Sequence, residues 1–278
     1  MIKDLPKNHA LIKKITKDLN NNVNYHGNVL FITISGSHLY GFNSRNSDVD
    51  YRGAYIASTD SLLGLLIPKE NYNPPISGDN DIDLFEVRKF LGLALKMNCN
   101  VWEHLFSDDT MIVSTKEFLD IRNILKPMMS KGGLYYSYHG MAYTNYDKFL
   151  KKGIEYTVKK FMYVVRALLA AIYTMEKHDI QPNMYKLNES YGNDETVEQL
   201  LDLKRRGLEK DQMDPHTKIA EKSHALIDRL FMEADDAYNK CNLQDNPSEE
   251  DFHKVNNWLK KIRRDDIFKR YSNKVMQL

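Results

Sequence analysis

Apolar and polar positions follow regular periods along the first third of the chain. Five apolar residues at helical intervals predict an amphipathic helix within residues 1–22: Leu5, Leu11, Ile12, Ile15 and Leu19. The compact β-branched run VLFITIS (residues 29–35) predicts a buried strand. Alternation in DVDYRGAYIAS (48–58) predicts a second strand, and DIDLFEV (81–87) predicts a third one ahead of the helical pattern RKFLGLALKM.

From about residue 112 onward the period is helical. Helices are predicted around residues 116–125, 143–151, 158–176, 197–207, 216–241 and 249–271. The change of period divides the chain into an N-terminal helix (1–22), an α/β domain (23–120) and a helical region (121–278). Dense alternating charge in KKIRRDDIFKR predicts a solvated face on the last helix. The predicted fold class is therefore α/β, or α+β, followed by an all-helical C-terminal region.

Composition narrows the class of protein. The 278 residues include 39 Lys and Arg and 38 Asp and Glu, which gives a net charge of +1. This charge argues against a protein that coats nucleic acid nonspecifically. Cys99 and Cys241 lie far apart and outside any Cys-x-x-Cys spacing, so neither a disulfide partner nor a zinc site is expected. No apolar run approaches the ~20 residues that span a bilayer, and the N-terminus is too polar for a signal peptide. A cytoplasmic protein without a membrane partner is expected.

The pattern most indicative of function joins the first strand to the second. Gly36-Ser37 ends the first strand, ten residues follow, and Asp48-Val49-Asp50 begins the second. Residues two apart on a strand project from the same face, so Asp48 and Asp50 are expected to present two carboxylates to one point. The lack of a side chain at Gly36 would let the backbone approach a phosphate, and the Ser37 hydroxyl could bind it.

A divalent cation would make this arrangement favourable. Two neighbouring carboxylates repel each other unless a cation lies between them, and Mg²⁺ prefers carboxylates together with phosphate oxygens. In a purely structural alternative, Ser37 caps a helix and the aspartates line a sheet edge. That alternative does not explain why a Gly-Ser pair occurs together with two carboxylates on one strand face. A Walker phosphate loop does not fit, because Gly36-x-x-x-x-Gly41 is followed by Phe42-Asn43 and not by Lys-Ser/Thr. The sequence therefore predicts a metal and phosphate site.

These motifs carry a family resemblance. Gly-Ser followed about ten residues later by Asp-x-Asp resembles the signature of the DNA polymerase beta-like nucleotidyltransferase superfamily. Within it, the chain is similar to the RlaP-like group, which is associated with bacterial and phage RNA repair. The likeness runs through GSHLYGFNSRNSDVDYRGAYI, DIDLFEVRKFLGLALKMNCNVWEHLF, YHGMAYTNYDKFL and KKFMYVVRALLAA, roughly residues 28–210. The first of these motifs is very specific, and the helical ones are moderately so.

The resemblance implies a fold and a reaction. A small mixed sheet would hold three carboxylates, and a helical region would close over a nucleoside triphosphate. Asp48 and Asp50 would bind two Mg²⁺ ions, or Mn²⁺ as a substitute, and a third carboxylate would help to activate the attacking hydroxyl. Asp81 matches the family spacing better than Asp83, which is the alternate on the same strand face. In-line displacement at the α-phosphorus would release pyrophosphate.

Four other residues are candidates for nucleotide contacts. Arg52 shares the strand face of the aspartates, so it could steady a carboxylate or reach a phosphate oxygen. Lys160, Tyr163 and Arg166 recur at helical spacing and could meet the triphosphate or stack on the base. A helix with a charged outer face shows the same pattern, and the resemblance favours the functional interpretation.

Several positions allow more than one interpretation. Tyr146, in the matching segment TNYDKFL, could contact nucleotide or acceptor, or it could only pack. Glu103 also matches the family, but a helix start or a buried hydrogen bond is the simpler explanation. His38 could face a phosphate or form a loop hydrogen bond. The run LYYSYHGMAY could stack bases, although helix packing is the more common role of such aromatics.

The acceptor is not specified by the residues. By resemblance alone an RNA end is favoured, and a phage-encoded protein would act in the host cytoplasm. Two alternatives stay open at this point: a noncatalytic NTP-sensing or RNA-binding module, and a toxin-like enzyme that nucleotidylates a host protein or tRNA. Fold does not determine substrate, so these alternatives require experiments.

Overall fold

The computed structural model describes residues 9–22, 24–43, 47–75, 80–208 and 211–275, and Leu5 of the first predicted helix lies outside these ranges. The helices are α1 His9–Asn21, α2 Gly36–Leu39, α3 Thr59–Leu62, α4 Val87–Leu95, α5 Cys99–Leu105, α6 Lys116–Leu125, α7 Lys131–Asn145, α8 Val158–Lys177, α9 Met184–Tyr191, α10 Glu195–Arg205, α11 Lys218–Lys240 and α12 Glu249–Val275. The strands are β1 Gly27–Ser35, β2 Asp50–Ala57, β3 Asn71–Tyr72, β4 Asp81–Glu86 and β5 Met111–Ser114. Two 3₁₀ turns, Asp108–Thr110 and Lys126–Met128, and the π-helix Tyr146–Lys151 are also present.

The strands of the described residues form one mixed sheet in the order β3-β4-β2-β1-β5. β1 pairs antiparallel with β2 and β5, and β3 pairs antiparallel with β4. β2 and β4 run parallel, with Asp50 opposite Asp81 and Arg52 opposite Asp83. The small mixed sheet that the resemblance implies is confirmed. Its parallel pair places the acidic starts of two strands side by side.

Helices cover both faces of the sheet. α1 packs on one face, where Ile15 belongs to the same buried cluster as Tyr55. On the other face, Phe31 and Phe118 stack with ring centroids 4.4 Å apart, and α4, α6 and α12 contribute the surrounding apolar side chains. Because side chains alternate along a strand, Asp50 projects from the face opposite Tyr55.

The helical region is organised around α8. All of residues 161–172 are buried except Tyr163, and α7, α9, α10 and α11 pack against this helix. The same core includes Tyr40 and Phe42, which follow α2. The turn that leaves β1 is therefore anchored in the helical region as well as in the sheet.

The last helix, α12, returns to the sheet. Val255 and Trp258 are buried in the cluster on the sheet face, and Arg263 donates to the carbonyl oxygen of Ala57 and pairs with Glu86. Several neighbouring charged residues are exposed. The helix thus has the predicted solvated face together with a buried one.

Two short strands and five helices differ from the predicted elements. β5 lies at the sheet edge, where the pattern indicates only helix, and β3 lies between the second and third predicted strands, where no element is predicted. These strands have four and two residues, which is too short for an alternating pattern to emerge. The predicted helices also lack α2, α3, α5, α9 and most of α7, because tertiary packing rather than local period defines them.

Two further observations concern the environment of the chain. Cys99 and Cys241 are both buried thiols. Within the described ranges, no helix combines the length and the apolar character needed to cross a membrane.

Candidate active site

The turn between β1 and β2 begins with a glycine in the left-handed region. Gly36 has φ +63°, and its carbonyl oxygen accepts a hydrogen bond of 3.1 Å from the Tyr40 N–H. The Ser37 carbonyl oxygen accepts another of 3.1 Å from the Phe42 N–H, and the Ser37 side chain is half-buried. Two successive backbone bonds therefore fix the Gly-Ser turn against the residues that follow it.

Gly36 is required for a second reason, which is the position of Asp50. A Cβ atom on Gly36 would overlap Oδ2 of Asp50. The bare Cα of Gly36 thus lets the Asp50 carboxylate lie directly against the turn. The Gly-Ser motif and the second aspartate of Asp-x-Asp form one contiguous structure, as the sequence pattern predicts.

Asp50 and Asp81 share one guanidinium group. Nη2 of Arg52 lies 2.7 Å from Oδ2 of Asp81 and 3.5 Å from Oδ1 of Asp50. The two aspartates are register partners on parallel strands, so their carboxylates project from the same sheet face. Asp48 is exposed, two residues ahead of Asp50 in the coil before β2. The structure therefore brings Asp50, Asp81 and Arg52 together, with Asp48 at the edge.

The Asp50 carboxyl is electrostatically strained. Burial is the largest influence and raises its pKa, and the negative charges of Asp81 and Asp48 raise it further. The positive charge of Arg52 acts in the opposite direction, with a smaller contribution from His38. One guanidinium thus compensates this group of carboxylates only in part.

Asp83 occupies a different position from Asp81. Its Oδ1 accepts a hydrogen bond of 2.8 Å from Nδ2 of Asn71 on β3, and it is half-buried two residues further along β4. Neither ion pair of Arg52 involves Asp83. The geometry associates Asp81, rather than Asp83, with Asp50.

A buried histidine supports the end of β1. Nε2 of His104, on α5, lies 2.9 Å from Oγ of Ser35. Burial, helped by the nearby charge of Arg52, lowers the pKa of His104 to about 3. His104 is therefore neutral at physiological pH and holds the residue that precedes Gly36.

The acidic pair suits a divalent cation. Among the residues that the structure describes, no group of three Asp, Glu, His or Cys side chains is close enough to hold a metal ion by itself. Asp50 and Asp81 nevertheless offer the oxygen ligands that Mg²⁺ prefers, and a positive group, the Arg52 guanidinium, already contacts both. Mg²⁺ commonly takes one or two carboxylates and completes its shell with phosphate oxygens and water. The residues present therefore fit a metal that arrives with a nucleotide.

The family is decided by a match along most of the chain. The model of RlaP, described as the RNA repair pathway DNA polymerase beta family, matches residues 11–261. The chain belongs to this family. It is a polymerase beta-like nucleotidyltransferase, as the Gly-Ser and Asp-x-Asp motifs predict, and the match extends into α12.

The chain is also similar to two curated proteins and to two solved structures. YcgL of Bacillus subtilis (strain 168), called uncharacterized, is 31% identical over 189 residues, which cover 66% of this chain and 72% of YcgL. MJ0002 of Methanocaldococcus jannaschii, also called uncharacterized, is 30% identical over 243 residues, or 86% and 96% of the two chains. The structure of spectinomycin adenyltransferase AAD(9) from Enterococcus faecialis with ATP and spectinomycin has 13% identity and a TM-score of 0.44, covering 80% of this chain and 99% of that one. A nucleotidyltransferase-like protein from Exiguobacterium sibiricum 255-15 has 13% identity and a TM-score of 0.33, covering 81% and 75%.

In this RlaP family protein, α8 contributes Tyr163, which packs against the residues that follow the Gly-Ser turn. The Tyr163 ring meets those of Tyr40 and Phe42 edge-on, with centroids 5.9 and 6.2 Å away. Burial raises the pKa of the Tyr163 hydroxyl, and the negative charge of Asp50 adds to the rise. Tyr163 therefore links the helical region to the site.

Lys160 lies one helical turn earlier on α8. Its ammonium is 3.1 Å from Oε2 of Glu155 and 3.7 Å from the centroid of the Phe149 ring. Both contacts lie within the helical region. A role of Lys160 in phosphate binding stays a prediction.

Arg166 lies inside the protein, unlike the other predicted nucleotide contacts. It has no exposed surface, and its Nη1 lies 2.6 Å from Oε1 of Glu103, which is equally buried. A buried hydrogen-bonding role for Glu103 is thereby confirmed. In this geometry the guanidinium points to a carboxylate in the core, and it does not face the site where a phosphate is predicted to bind.

The aromatic segments contain both packed and exposed tyrosines. The hydroxyls of Tyr146 and Tyr156 lie 3.3 and 2.7 Å from the two ring nitrogens of His224. In the tyrosine-rich run, Tyr135 and Tyr138 are buried in the helical core, whereas Tyr136 and Tyr143 are exposed. Packing therefore accounts for part of each segment, and contacts with a nucleotide or an acceptor stay predictions.

Sequence reasoning missed two polar residues close to the turn. His104 contacts Ser35 as described above, and Lys204, on α10, is 4% exposed with its ammonium 5.4 Å from the centroid of the Phe42 ring. Neither WEHL nor LLDLKRR has a local signal for these positions, since each contact joins segments far apart in the chain.

Proposed function

We propose that the protein transfers a nucleoside monophosphate from an NTP to a hydroxyl acceptor, with an RNA end favoured, and releases pyrophosphate. The observation that supports this most strongly is the pairing of Asp50 with Asp81 directly beside the Gly36 turn. Two carboxylates, a glycine turn and a guanidinium converge at one end of the sheet. Transfer at a phosphorus atom depends mainly on such positioning and charge.

Asp48, Asp50 and Asp81 would hold two Mg²⁺ ions, for which Mn²⁺ is a substitute. When bound, the metal supplies positive charge that offsets the charge of the triphosphate and of the leaving pyrophosphate. Arg52 contacts Asp50 and Asp81 and so keeps both carboxylates aligned on one face before ligands bind.

The nucleotide would lie between the turn and α8. Gly36 lets a phosphate approach the main chain, and Ser37 donates its hydroxyl to the β or γ phosphate. Tyr163, whose pKa is raised in part by the charge of Asp50, would stack its ring on the base. Lys160 would contact the triphosphate after leaving Glu155.

The reaction needs one proton transfer by the protein. The acceptor oxygen attacks the α-phosphorus, the new O–P bond forms, and the bond between the α-phosphorus and the bridging oxygen breaks. Pyrophosphate carries away the bonding electrons, and Asp81 accepts the proton of the acceptor hydroxyl. Asp81 suits this role because it is exposed while Asp50 lies against the turn.

RNA is the acceptor favoured by the family description, which names an RNA repair pathway. A net charge of +1 fits contact with one RNA end better than a long footprint along a strand. A host protein or tRNA as acceptor, in a toxin-like reaction, would use the same site.

The test is transfer of label from each α-³²P NTP. The purified protein is incubated with Mg²⁺ and an extract that contains host RNA and protein, in parallel with Asp48→Asn. We expect the native protein to label an RNA band, the variant to label none, and the circular dichroism spectra of the two to agree. Equal labelling by both proteins would exclude the assignment of Asp48.

Two other results would change the proposal. Label in a protein band would replace the RNA end with the toxin-like acceptor. Metal-dependent NTP binding without transfer to any acceptor would favour the noncatalytic sensing module, in which Arg52 remains the permanent partner of Asp50 and Asp81.

A further inference from the structure

One ion pair joins the two parts of the molecule in a fully buried position. Glu103 belongs to α5, beside the sheet, and Arg166 belongs to α8, in the centre of the helical region. Both side chains are 0% exposed, and Nη1 lies 2.6 Å from Oε1. The second carboxylate oxygen of Glu103 and Nε of Arg166 are buried without a hydrogen-bond partner in the described residues. The pair is therefore incompletely compensated for its loss of water.

Stability alone does not explain such a pair. Desolvation of two charges is unfavourable, and well-packed apolar residues of similar volume often stabilise a protein as much or more. Burial is the largest single influence and tends to lower the pKa of Arg166, but the charge and hydrogen bond of Glu103 together with Tyr40 and Tyr138 raise the pKa overall. The guanidinium therefore stays charged, and a second contact that requires charge or planarity would account for a pair that stability does not explain.

That second contact is Tyr40, at the end of the Gly-Ser turn. The guanidinium carbon of Arg166 lies 3.7 Å from the centroid of the Tyr40 ring, which suits a cation–π interaction. The Tyr40 N–H donates to the Gly36 carbonyl oxygen at 3.1 Å, and its own carbonyl oxygen accepts from the Met184 N–H at 2.9 Å. The residue that Arg166 covers is thus the one that closes the turn.

We propose that Glu103 and Arg166 are positioning residues that set the Gly36-Ser37 turn for NTP binding through the ring of Tyr40. Glu103 fixes the plane of the guanidinium, and the guanidinium fixes the ring. The ring then fixes the backbone that bonds to Gly36. This inference rests on the proposed function for its effect on NTP, but the mechanical link can be measured without it.

The link depends on the shape of the side chains as well as on charge. Lysine preserves a positive charge but has no planar group to pair with Glu103 while stacking on Tyr40. Tyr40→Phe retains the ring, so it serves as the conservative control. Tyr40→Leu removes the ring and retains apolar bulk. The proposal requires Arg166→Lys and Tyr40→Leu to behave alike and Tyr40→Phe to behave like the native protein.

The experiment combines two readouts on these full-length variants. Hydrogen exchange measured by mass spectrometry reports the amides of residues 36–42, and isothermal titration reports the affinity for a non-hydrolysable NTP analogue with Mg²⁺. We expect Arg166→Lys and Tyr40→Leu to exchange faster in this peptide and to bind the analogue about tenfold more weakly. Tyr40→Phe is expected to match the native protein within about twofold.

A matched control separates positioning from general loss of stability. Arg263 pairs with the buried Glu86 at the opposite end of β2, so Arg263→Lys perturbs a comparable ion pair without touching the turn. We expect it to leave exchange of residues 36–42 and analogue affinity unchanged. The double variant Glu103→Gln/Arg166→Met, which removes both charges, is expected to fold and to retain the affinity defect.

The outcomes distinguish this inference from the proposed function. If residues 36–42 exchange hydrogen at the native rate in Arg166→Lys and Tyr40→Leu, the link is overturned, whatever the affinity for the NTP analogue. Native analogue affinity in the double variant would do the same and make the pair structural. If the native protein binds no NTP at all, the proposed function fails, and faster exchange confined to this peptide would still support the link to the turn.

Discussion

Arg52 and Arg166 both contact carboxylates, and their surroundings differ. Arg166 and Glu103 form a one-to-one pair with no exposed surface. Arg52 is one-quarter exposed and is shared by Asp50 and the more exposed Asp81, with Asp48 nearby. The first group is electrically neutral and closed, whereas three carboxylates around one guanidinium leave an excess of negative charge at the second.

This difference shows how arginine–carboxylate contacts can support two roles, one in structure and one in ligand binding. A desolvated one-to-one pair has a single geometry, because any separation leaves a charge unpaired in the core. A shared guanidinium near water can be replaced by another cation at a smaller energetic cost. The buried pair is therefore suited to holding backbone in place, and the open group is suited to receiving a metal and phosphates.

The largest expected effect is at the open group. Asp81→Asn should lower the rate of nucleotidyl transfer about a thousandfold, because it removes the proposed proton acceptor. Asp83→Asn is the matched control on the same strand and should change the rate less than about threefold. Single-turnover transfer measured at saturating NTP compares them. A large loss in Asp83→Asn with none in Asp81→Asn would exchange their roles.

At the closed group the effect should appear in stability. Glu103→Gln leaves the charge of Arg166 buried without its counterion and should lower the free energy of unfolding by about 3 kcal/mol. Arg52→Gln, at the open group, should lower it by less than about 1 kcal/mol. Urea denaturation followed by circular dichroism measures both. Equal losses would remove the distinction between the groups.

Gly36 connects the two groups, since it contacts Asp50 and bonds to Tyr40. Gly36→Ala should lower the free energy of unfolding by about 1 to 2 kcal/mol, because alanine disfavours positive φ. The added methyl would also displace the Asp50 carboxylate, so transfer should fall more than stability alone explains. Gly140→Ala, at a helical position with open space around it, is the control and should retain full activity.

The last effect concerns the pH dependence of stability. The folded pKa of His104 is about 3, below the unfolded value of about 6.5, so the unfolded state binds more protons below pH 6.5. Stability should therefore fall as the pH decreases from 7 to 5, and His104 should account for about 1 to 2 kcal/mol of that fall. His104→Gln keeps a polar partner for Ser35 and should show a correspondingly shallower decrease. If the stability of the native protein and of His104→Gln fell equally with decreasing pH, the buried neutral state of His104 would be contradicted.

Local sequence patterns predicted the parts of the fold that have a strong period. The helix over Lys116–Leu125 and the strand that ends at Ser35 follow directly from apolar spacing. β5 escaped prediction because it is a short edge strand whose residues are partly exposed. Its position depends on pairing with β1, and pairing between distant segments leaves no local signal.

The same limit applies to the site. The convergence of Asp50 and Asp81 beside Gly36 could be predicted, because each of these aspartates begins a strand next to a recognisable motif; the catalytic roles of Asp48, Asp50 and Asp81 stay predictions. The burial of Arg166 could not, because its helical spacing with Lys160 and Tyr163 fits an outer face as well as a core. Its partner Glu103 is 63 residues away, and only the folded chain shows that the two meet.

Binding of Mn²⁺ in the presence of an NTP, followed by electron paramagnetic resonance, tests the central claim most directly. The account predicts that the native protein and Asp83→Asn bind Mn²⁺ with similar affinity and that Asp50→Asn binds it at least about tenfold more weakly. The circular dichroism spectra of all three proteins should agree. Native Mn²⁺ affinity in a folded Asp50→Asn would show that the open group is not the metal site and would contradict the account.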